Sequence, residues 1–333
     1  MKIRKITLYI LCVITGFVSC SKKDNVLDGI VVEERDRTEQ QVIDKDSLIG
    51  YLDSHYYNSS TFESNPNPSI NDLIISELPE DGILPDPANN TLLIDAIEIK
   101  NTVYEEVDYE YYILRLNQGG GDVKPHFSDD VRVTYLGNLL NEEVFDSAVT
   151  PTDFDLTGLV TGWNRVLPGF NVAEDYIESG DGTINFSNAG VGVMFLPSGL
   201  GYYSQPPASS IITAYSSLIF RFELYQTEIN DHDIDGVPTY LEDINNNLNL
   251  IDDDSDVDGI PDYLDFDDDE DGTLTVEEDL EDSDLNFDSN GDGILDNDLD
   301  GDGDPTNDDT DGDGIPNYLD TDNTQSNKDD NNN

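Results

Sequence analysis

Apolar and polar residues alternate along two stretches in the second third of the chain. In VRVTY, residues 131–135, the valines and the tyrosine fall on one face of an extended strand, and LIFRFEL, residues 218–224, repeats the pattern. Both predict half-buried antiparallel strands. Between them one short helix fits, beginning at Gly162 and ending near Pro168. The pattern predicts an α+β domain over residues 109–227, in which an antiparallel sheet wraps over one short helix.

Before this domain, residues 20–108 form a polar arm. Apolar residues recur at helical spacing in residues 46–56, where Asp44 or Asp46 could cap the first turn. The spacing predicts one short helix of about three turns. Five prolines between residues 66 and 87 then break the chain into short pieces.

The first twenty residues have the organisation of an export signal. Three basic residues precede the apolar run 6–18, which ends at Ser19 and Cys20. The last four residues of this segment resemble a bacterial lipobox, whose cysteine becomes the acylated first residue of the mature protein. We therefore predict a lipoprotein signal peptide over residues 1–19, lipidation of Cys20, and anchoring to the cell envelope, most simply the outer membrane. The alternative is a secretory peptide with an incidental cysteine.

At the other end, residues 231–322 carry 36 Asp and Glu residues and no Lys or Arg. The acids fall into six copies of D-x-D/N-x-D-G, in which alternate side chains converge on one concave arc and glycine allows a sharp turn. Five copies have a further acid at the twelfth place. The predicted calcium ligands are Asp231, Asp233, Asp235 and Glu242; Asp254, Asp256, Asp258 and Asp265; Asp267, Asp269, Asp271 and Glu278; Asp288, Asn290 and Asp292; Asp298, Asp300 and Asp302; and Asp309, Asp311, Asp313 and Asp320.

The alternative for this acidic segment is a solvated, disordered tail. Apolar residues at fixed offsets from the glycines, as in VPTYL and IPDYL, favour an ordered array instead. The arrangement resembles the thrombospondin type 3 repeat, an irregular array wrapped around calcium. We predict a calcium-binding array over residues 228–323, whose folding is coupled to the ion, and a disordered tail over residues 324–333.

Charge limits the partners of this protein. The formal net charge is −58, a surface that repels nucleic acid and anionic lipid headgroups. The three histidines are scattered, so neither a histidine-based triad nor a zinc site is indicated. Attachment to a membrane must then come from the lipid on Cys20.

Short motifs in residues 109–227 follow one another in a characteristic order. They are Tyr111-Tyr112, Gly119-Gly120-Gly121, Asp130-Val131-x-Val133-x-Tyr135-x-Gly137, Val144-Phe145-Asp146-Ser147, Phe154-x-Leu156, Gly162-Trp163, Leu196-Pro197-Ser198-Gly199-Leu200-Gly201-Tyr202, Ile211-Ile212 and Leu218-x-Phe220. This order and spacing resembles the FKBP-type peptidyl-prolyl isomerases. The resemblance implies an FKBP-like fold, isomerisation of X-Pro bonds without a cofactor, and proline-containing segments of exported proteins as substrates.

The resemblance also implies a set of pocket residues. Trp163 would be the floor under the proline ring, and Ile212 the lip of a long loop. The aromatic walls would be Tyr135, Phe145, Phe154 and Phe220; the aliphatic pair before the tryptophan Leu159 and Val160; and the polar rim Asp146 and Tyr202.

Three departures leave other functions open. Tyr203 stands where a glycine is common, Thr213 replaces a usual proline, and the connection over residues 171–193 is longer than its counterpart. Since the alignment could shift by one position, Tyr203 could also take the role of Tyr202. The alternatives are a catalytically weak chaperone that binds peptides, and a calcium-binding adhesion module in which the array is the working part.

Overall fold

The computed structural model describes residues 34–278, 306 and 308–326. The chain divides into two compact units, Met1–Arg35 and Asp36–Asn333. The first is described only at Glu34 and Arg35, which have no regular secondary structure. The predicted signal peptide, Cys20 and the predicted ligands from Asp288 to Asp302 lie outside the described residues.

The second unit is built around a six-stranded antiparallel sheet. In chain order the elements are α1 Arg37–Ser54, β1 His55–Tyr57, β2 Ile75–Glu77, β3 Thr91–Leu92, α2 Leu93–Ala96, β4 Glu98–Tyr104, β5 Val107–Asn117, β6 Asp130–Leu139, β7 Val144–Asp155, α3 Gly162–Val166, β8 Asp175–Glu178, β9 Ile184–Ser187, β10 Gly190–Leu196 and β11 Leu218–Glu228. The strand order of the large sheet is β4-β5-β10-β11-β6-β7. Strands β2, β1 and β3 form a small separate sheet, and β8 pairs with β9.

The inner face of the sheet packs against the short helix α3. Phe220 and Phe222 of β11 share one core with Trp163 and Val166 of α3 and with Val133 of β6. This core also contains the other apolar residues that alternate along β6 and β11. The predicted alternation and the predicted short helix are therefore confirmed.

The outer face of the sheet is covered by α1. Leu48 and Leu52 are fully buried, in one cluster with Phe195 of β10 and Ile219 of β11. Because both faces are covered, every residue of β10 is buried. None of the helices in the described residues is both long enough and apolar enough to span a bilayer.

Helix α1 is longer than the sequence pattern predicts. It begins at Arg37, where Asp36 is the N-cap and its carboxylate accepts a 2.9 Å hydrogen bond from the backbone N–H of Glu39. The predicted helix is present over residues 46–54, but its predicted cap at Asp44 or Asp46 and its predicted length of about three turns were wrong. The first two turns bury Gln40, Gln41 and Asp44, so the buried face starts with polar residues that hydropathy does not reveal.

Asp44 is buried because it holds another element. Its carboxylate accepts hydrogen bonds from the backbone N–H and the hydroxyl of Ser198, at 2.8 and 2.6 Å, and from the amide of Gln40 at 2.6 Å. Ser198 opens the turn that leads to Tyr202. The helix in the predicted polar arm is thus part of the folded unit and fixes this turn.

The sheet also begins earlier than the predicted domain. Strand β4 pairs along its whole length with β5, so the predicted boundary at residue 109 lies inside a hairpin of the sheet. The long connection before β10 contains the β8–β9 hairpin. Phe186 of that hairpin stacks on Tyr225 of β11 at 4.5 Å, which ties the insertion to the sheet.

The beginning of the acidic array packs directly on the sheet domain. Tyr240 stacks on His126 with ring centroids 3.6 Å apart, and the Asn230 side chain donates a hydrogen bond to the carbonyl of Ser128 at 3.1 Å. Farther along, the carbonyl of Leu248 accepts from the guanidinium of Arg165, in α3, at 3.1 Å. The array and the domain are therefore not independent in this region.

The covering of the outer face by α1 predicts that truncating Leu48 destabilises the whole unit. Leu48→Ala removes a fully buried side chain, and a loss of about 2–5 kcal/mol in the free energy of unfolding is expected. The measurement is denaturant unfolding of the full chain followed by circular dichroism. Val42→Ala, at a position 59% exposed on the same helix, should change it by less than about 0.5 kcal/mol. Equal effects of the two substitutions would contradict the packing of α1 on the sheet.

Candidate functional site

Three aromatic rings from separate elements form the centre of the candidate pocket. The Trp163 ring of α3 meets the Tyr135 ring of β6 almost perpendicularly, with centroids 5.6 Å apart. It also lies 5.1 Å from the Phe220 ring of β11. Such edge-to-face arrangements are favourable for aromatic pairs and fix the rings relative to one another.

Strand β7 contributes two further rings at the margin. Phe145 lies perpendicular to Phe220 at 5.3 Å, and Phe154 lies 5.8 Å from Tyr135. Both are half-buried. The rings approach β6 closely at Gly137, where an added Cβ would lie only 2.6 Å from the Phe145 ring, so this position requires glycine.

A polar pair lies beside these rings. The Tyr135 hydroxyl donates a 2.6 Å hydrogen bond to the exposed carboxylate of Asp146. Burial and this hydrogen bond raise the pKa of Tyr135. Burial, followed by the negative charge of Asp146, also raises the pKa of Tyr202.

The neighbouring Tyr203 faces a different direction. Its ring is 5% exposed, lies 4.2 Å from the guanidinium of Arg37 in α1, and meets the Tyr215 ring at 5.0 Å. Its backbone has a φ of +48°, in the left-handed region where glycine is usual. The geometry favours Tyr202 as the tyrosine of the rim.

The remaining predicted pocket residues lie against the same core. Leu159, Val160 and Tyr202 are half-buried on it, and Ile212 is 6% exposed within it. The carbonyl of Val160 accepts a 3.0 Å hydrogen bond from the backbone N–H of Trp163, which sets the start of α3. All ten predicted pocket residues are thus brought together. Chemically, they form an apolar surface edged by a carboxylate and a phenol.

The acidic repeats share one local geometry in the four copies that the structure describes. These copies begin at Asp231, Asp254, Asp267 and Asp309. The fourth residue and the glycine at the sixth place have a positive φ in each, and the carboxylate at the fifth place accepts a hydrogen bond from the N–H at the seventh. The sharp turn predicted for the glycine is present in each copy.

The alternate carboxylates converge in each of these loops. In each of the four, the three acids place carboxylate oxygens within 4.8 Å of one another. Asp233 and Glu278 are both buried, and neither has a hydrogen-bond partner for either carboxylate oxygen. Buried carboxylates without partners fit a bound hard cation, because a metal would supply the missing interactions.

A second contact in the repeats was not anticipated from the sequence. The backbone N–H at the second place donates to a side-chain oxygen at the ninth, as from His232 to Thr239 at 3.2 Å and from Ser255 to Asp262 at 2.7 Å. The copies that begin at Asp267 and Asp309 repeat it. The signal was a polar residue at every ninth place. His232 also contacts the carboxylate of Asp155, at the end of β7, through its Nε2 atom at 3.2 Å.

Parts of the chain are similar to known proteins. A family model described as BamM C-terminal matches residues 232–286. The chain is 30% identical over 114 residues to the FKBP-type 22 kDa peptidyl-prolyl cis-trans isomerase of Escherichia coli. The match covers 33% of this chain and 47% of that relative, so the chain spans about half of the relative's length. The predicted resemblance to FKBP-type isomerases is confirmed over this stretch.

Two solved structures are also similar. A peptidyl-prolyl cis-trans isomerase from Pseudomonas syringae pv. tomato is 14% identical with a TM-score of 0.34, and the match covers 59% of this chain and 98% of that one. FkpA from Escherichia coli is 23% identical with a TM-score of 0.30, covering 40% and 52% respectively. The predicted lipid anchor, the thrombospondin-like repeats and the bound calcium are not tested by these comparisons and stay predictions.

The buried carboxylates predict how the stability of the metal-free protein depends on pH. Burial, followed by neighbouring negative charges, raises the pKa of Glu242 and of Glu278 from 4.5 to about 9. The folded state therefore binds protons more tightly than the unfolded state, and stability is lost as pH rises from about 4.5 towards 9. The melting temperature of protein freed of divalent cations should fall between pH 5.5 and pH 8.5.

Saturating calcium is the control for this pH dependence. A bound cation favours the ionised carboxylates, so the fall in melting temperature should shrink or reverse in its presence. A metal-free protein whose melting temperature rises across the same pH range would contradict the burial of these acids without partners.

Proposed function

We propose that this protein is a peptidyl-prolyl cis-trans isomerase acting on X-Pro bonds of exported proteins. The observation that carries the proposal is the convergence of Trp163, Tyr135 and Phe220 into one aromatic cluster with Asp146 at its edge. The 30% identity to an FKBP-type isomerase over 114 residues supports it. No cofactor is needed for the proposed reaction.

The proposed mechanism uses binding rather than covalent chemistry. Rotation about the X-Pro bond is slow because amide resonance gives a barrier of about 18–20 kcal/mol. An apolar site disfavours the charge-separated planar form of the amide, and a shape that fits the twisted amide binds more tightly only in the transition state. In this proposal the face of Trp163 supports the proline ring, while Asp146 holds the hydroxyl of Tyr135 in position.

A second candidate is a chaperone that binds proline-containing segments without turnover. The burial of Tyr203 between Arg37 and Tyr215 favours it, because this ring anchors the turn after the rim to α1. A less mobile rim would hold a peptide without adapting to the twisted amide. Binding and turnover therefore need to be measured separately on the same protein.

The single tryptophan of the chain allows this separation. A protease-coupled assay on an X-Pro peptide measures turnover against the uncatalysed rate, which has a time constant of about 10–100 s at 25 °C. The fluorescence of Trp163 should change when the peptide binds. We expect Trp163→Leu to lower kcat/KM about tenfold or more, equivalent to at least about 1.4 kcal/mol of transition-state stabilisation.

The matched control is Phe186→Leu, an aromatic residue of the β8–β9 hairpin outside the cluster. Its kcat/KM should stay within about twofold of the unsubstituted protein, less than 0.5 kcal/mol. A fluorescence change without acceleration of isomerisation would favour the chaperone. Neither binding nor acceleration would reject both candidates for this pocket.

We also propose that the array binds calcium and that Cys20 carries a lipid anchoring the protein to the cell envelope. The unpartnered buried carboxylates support the calcium proposal. Asp267, Asp269 and Asp271 place carboxylate oxygens within 4.8 Å of one another, and Glu278, at the twelfth place of the same loop, is buried without a partner for either oxygen. Calcium would neutralise these carboxylates and order the loops. The acidic array would then be a rigid appendage of the isomerase domain rather than its catalytic part.

The calcium proposal predicts a structural transition in the full chain. Circular dichroism and the melting temperature should change on addition of Ca²⁺ at about 10⁻⁴–10⁻³ M, the affinity range of extracellular calcium modules, and a chelator should reverse both changes. The same titration with K⁺ at matched ionic strength is the control for screening. Identical responses to the two ions would mean that screening alone acts and that the loops hold no calcium.

A further inference from the structure

We propose that one cation is held jointly by the first and third acidic repeats, through Asp235, Glu242 and Asp268. The first two residues belong to the first repeat and Asp268 to the third. The pattern that defines the loops does not include Asp268, because it occupies the second place. The proposal rests on the calcium binding proposed above. Asp235 and Glu242 are also predicted ligands of the first loop, so this site shares them with that loop and adds Asp268 from the third.

The three carboxylates have the spacing of a cation site. One oxygen from each lies within 4.8 Å of the others. Calcium binds carboxylate oxygens at about 2.3–2.6 Å, so two oxygens on opposite sides of the ion are about 5 Å apart. All three oxygens can therefore reach one ion without rearrangement of the backbone.

The burial of these carboxylates points to a ligand. Asp268 is 2% exposed, Glu242 is fully buried, and none of the four carboxylate oxygens on these two residues has a hydrogen-bond partner. Asp235 is 1% exposed, and its Oδ2 atom also has no partner. Burying an ionised carboxylate without a partner is strongly unfavourable. Residues 231–322 contain no Lys or Arg that could compensate this charge.

The role of the second place in the other repeats explains why Asp268 is free to bind. Ser255 and Thr310 use their side-chain hydroxyls, as well as their backbone N–H groups, to bond the residue at the ninth place. His232 does the same with its ring, 2.8 Å from the Thr239 hydroxyl. In the third repeat only the backbone N–H of Asp268 makes this contact, to Thr275 at 3.3 Å. Its carboxylate lies instead beside Glu242 and Asp235 of the first repeat.

A cation at this position would have a structural consequence that a cation within one loop does not have. It would connect the repeat that packs on the sheet domain with a repeat two copies farther along the chain. Removing it should loosen the third repeat while the loop around Asp254 keeps its own ligands. We therefore infer that calcium orders the array by joining repeats as well as by filling each loop.

The test is a comparison of Asp268→Asn with Glu270→Gln in the full chain. Glu270 is an exposed acid of the same repeat and not a member of the cluster. Equilibrium dialysis against Ca²⁺, with the bound metal counted by atomic emission, should find at least one ion fewer per chain in Asp268→Asn and no change in Glu270→Gln. The rise in melting temperature on adding calcium should be smaller in Asp268→Asn alone.

The melting temperature of the metal-free protein is an independent measurement, in which the substitution at Asp268 should not destabilise the protein. Without divalent cations, Asp268→Asn replaces a buried carboxyl, whose ionised form has no partner, by a neutral group of similar shape, so this variant should melt at or above the temperature of the unsubstituted protein. Asp268→Ser, which introduces the residue found at the second place of the next repeat upstream, should lose the same ion. Agreement between the two variants separates loss of the ligand from a folding defect of either one.

The outcomes distinguish this inference from the proposal on which it rests. If the unsubstituted protein binds no calcium, both fail. If it binds calcium and both Asp268 variants bind as many ions with the same affinity, the shared site is rejected and calcium binding by the individual loops stands.

Discussion

The rest of the structure depends on the burial of the two central strands on both faces. Strands β10 and β11 carry apolar residues on alternate sides, so the sheet cannot leave either face to water. The inner face is closed by α3, which brings Trp163 under the aromatic residues of β6 and β11. The outer face is closed by α1, which places Asp44 against Ser198, at the start of the turn to Tyr202. One packing requirement therefore positions both Trp163, the proposed floor of the pocket, and the turn that carries Tyr202, its proposed rim.

A different constraint governs the array. Its repeats have little apolar core, and their order comes from hydrogen bonds between carboxylates and backbone N–H groups within each turn. These bonds satisfy only part of each carboxylate, and the remaining oxygens of several acids are buried without partners. Hydrophobic burial stabilises the sheet domain, whereas the array leaves buried carboxylate oxygens that the proposed calcium ions would satisfy.

The sequence predicted the structure correctly where the spacing of residue types follows directly from which side chains are buried or which turns are formed. The alternation in β6 and β11 and the regular spacing of the glycines led to the sheet and to the turns of the loops. The sequence did not predict elements whose buried residues are polar and form hydrogen bonds with residues that are distant in the sequence. The first two turns of α1 were not predicted because their buried residues, Gln40 and Asp44, are polar. Their burial depends on Ser198, more than 150 residues away in the sequence. The sequence did not distinguish Asp268 from the other acids of the array, because what sets it apart is its burial beside two carboxylates of another repeat.

The contact between the array and the domain lies next to the candidate pocket. Asp155 directly follows Phe154 of the proposed wall, and its carboxylate accepts a 2.7 Å hydrogen bond from the N–H of Thr157, which starts the turn towards Leu159. The same carboxylate lies 3.2 Å from His232 of the first repeat. Ordering of the first repeat by calcium would therefore fix the partner of Asp155 and restrict the segment between two walls of the pocket. None of the proposed pocket side chains belongs to the part of the array that the structure describes, yet the array would in this way influence the shape in which the proposed pocket meets a substrate.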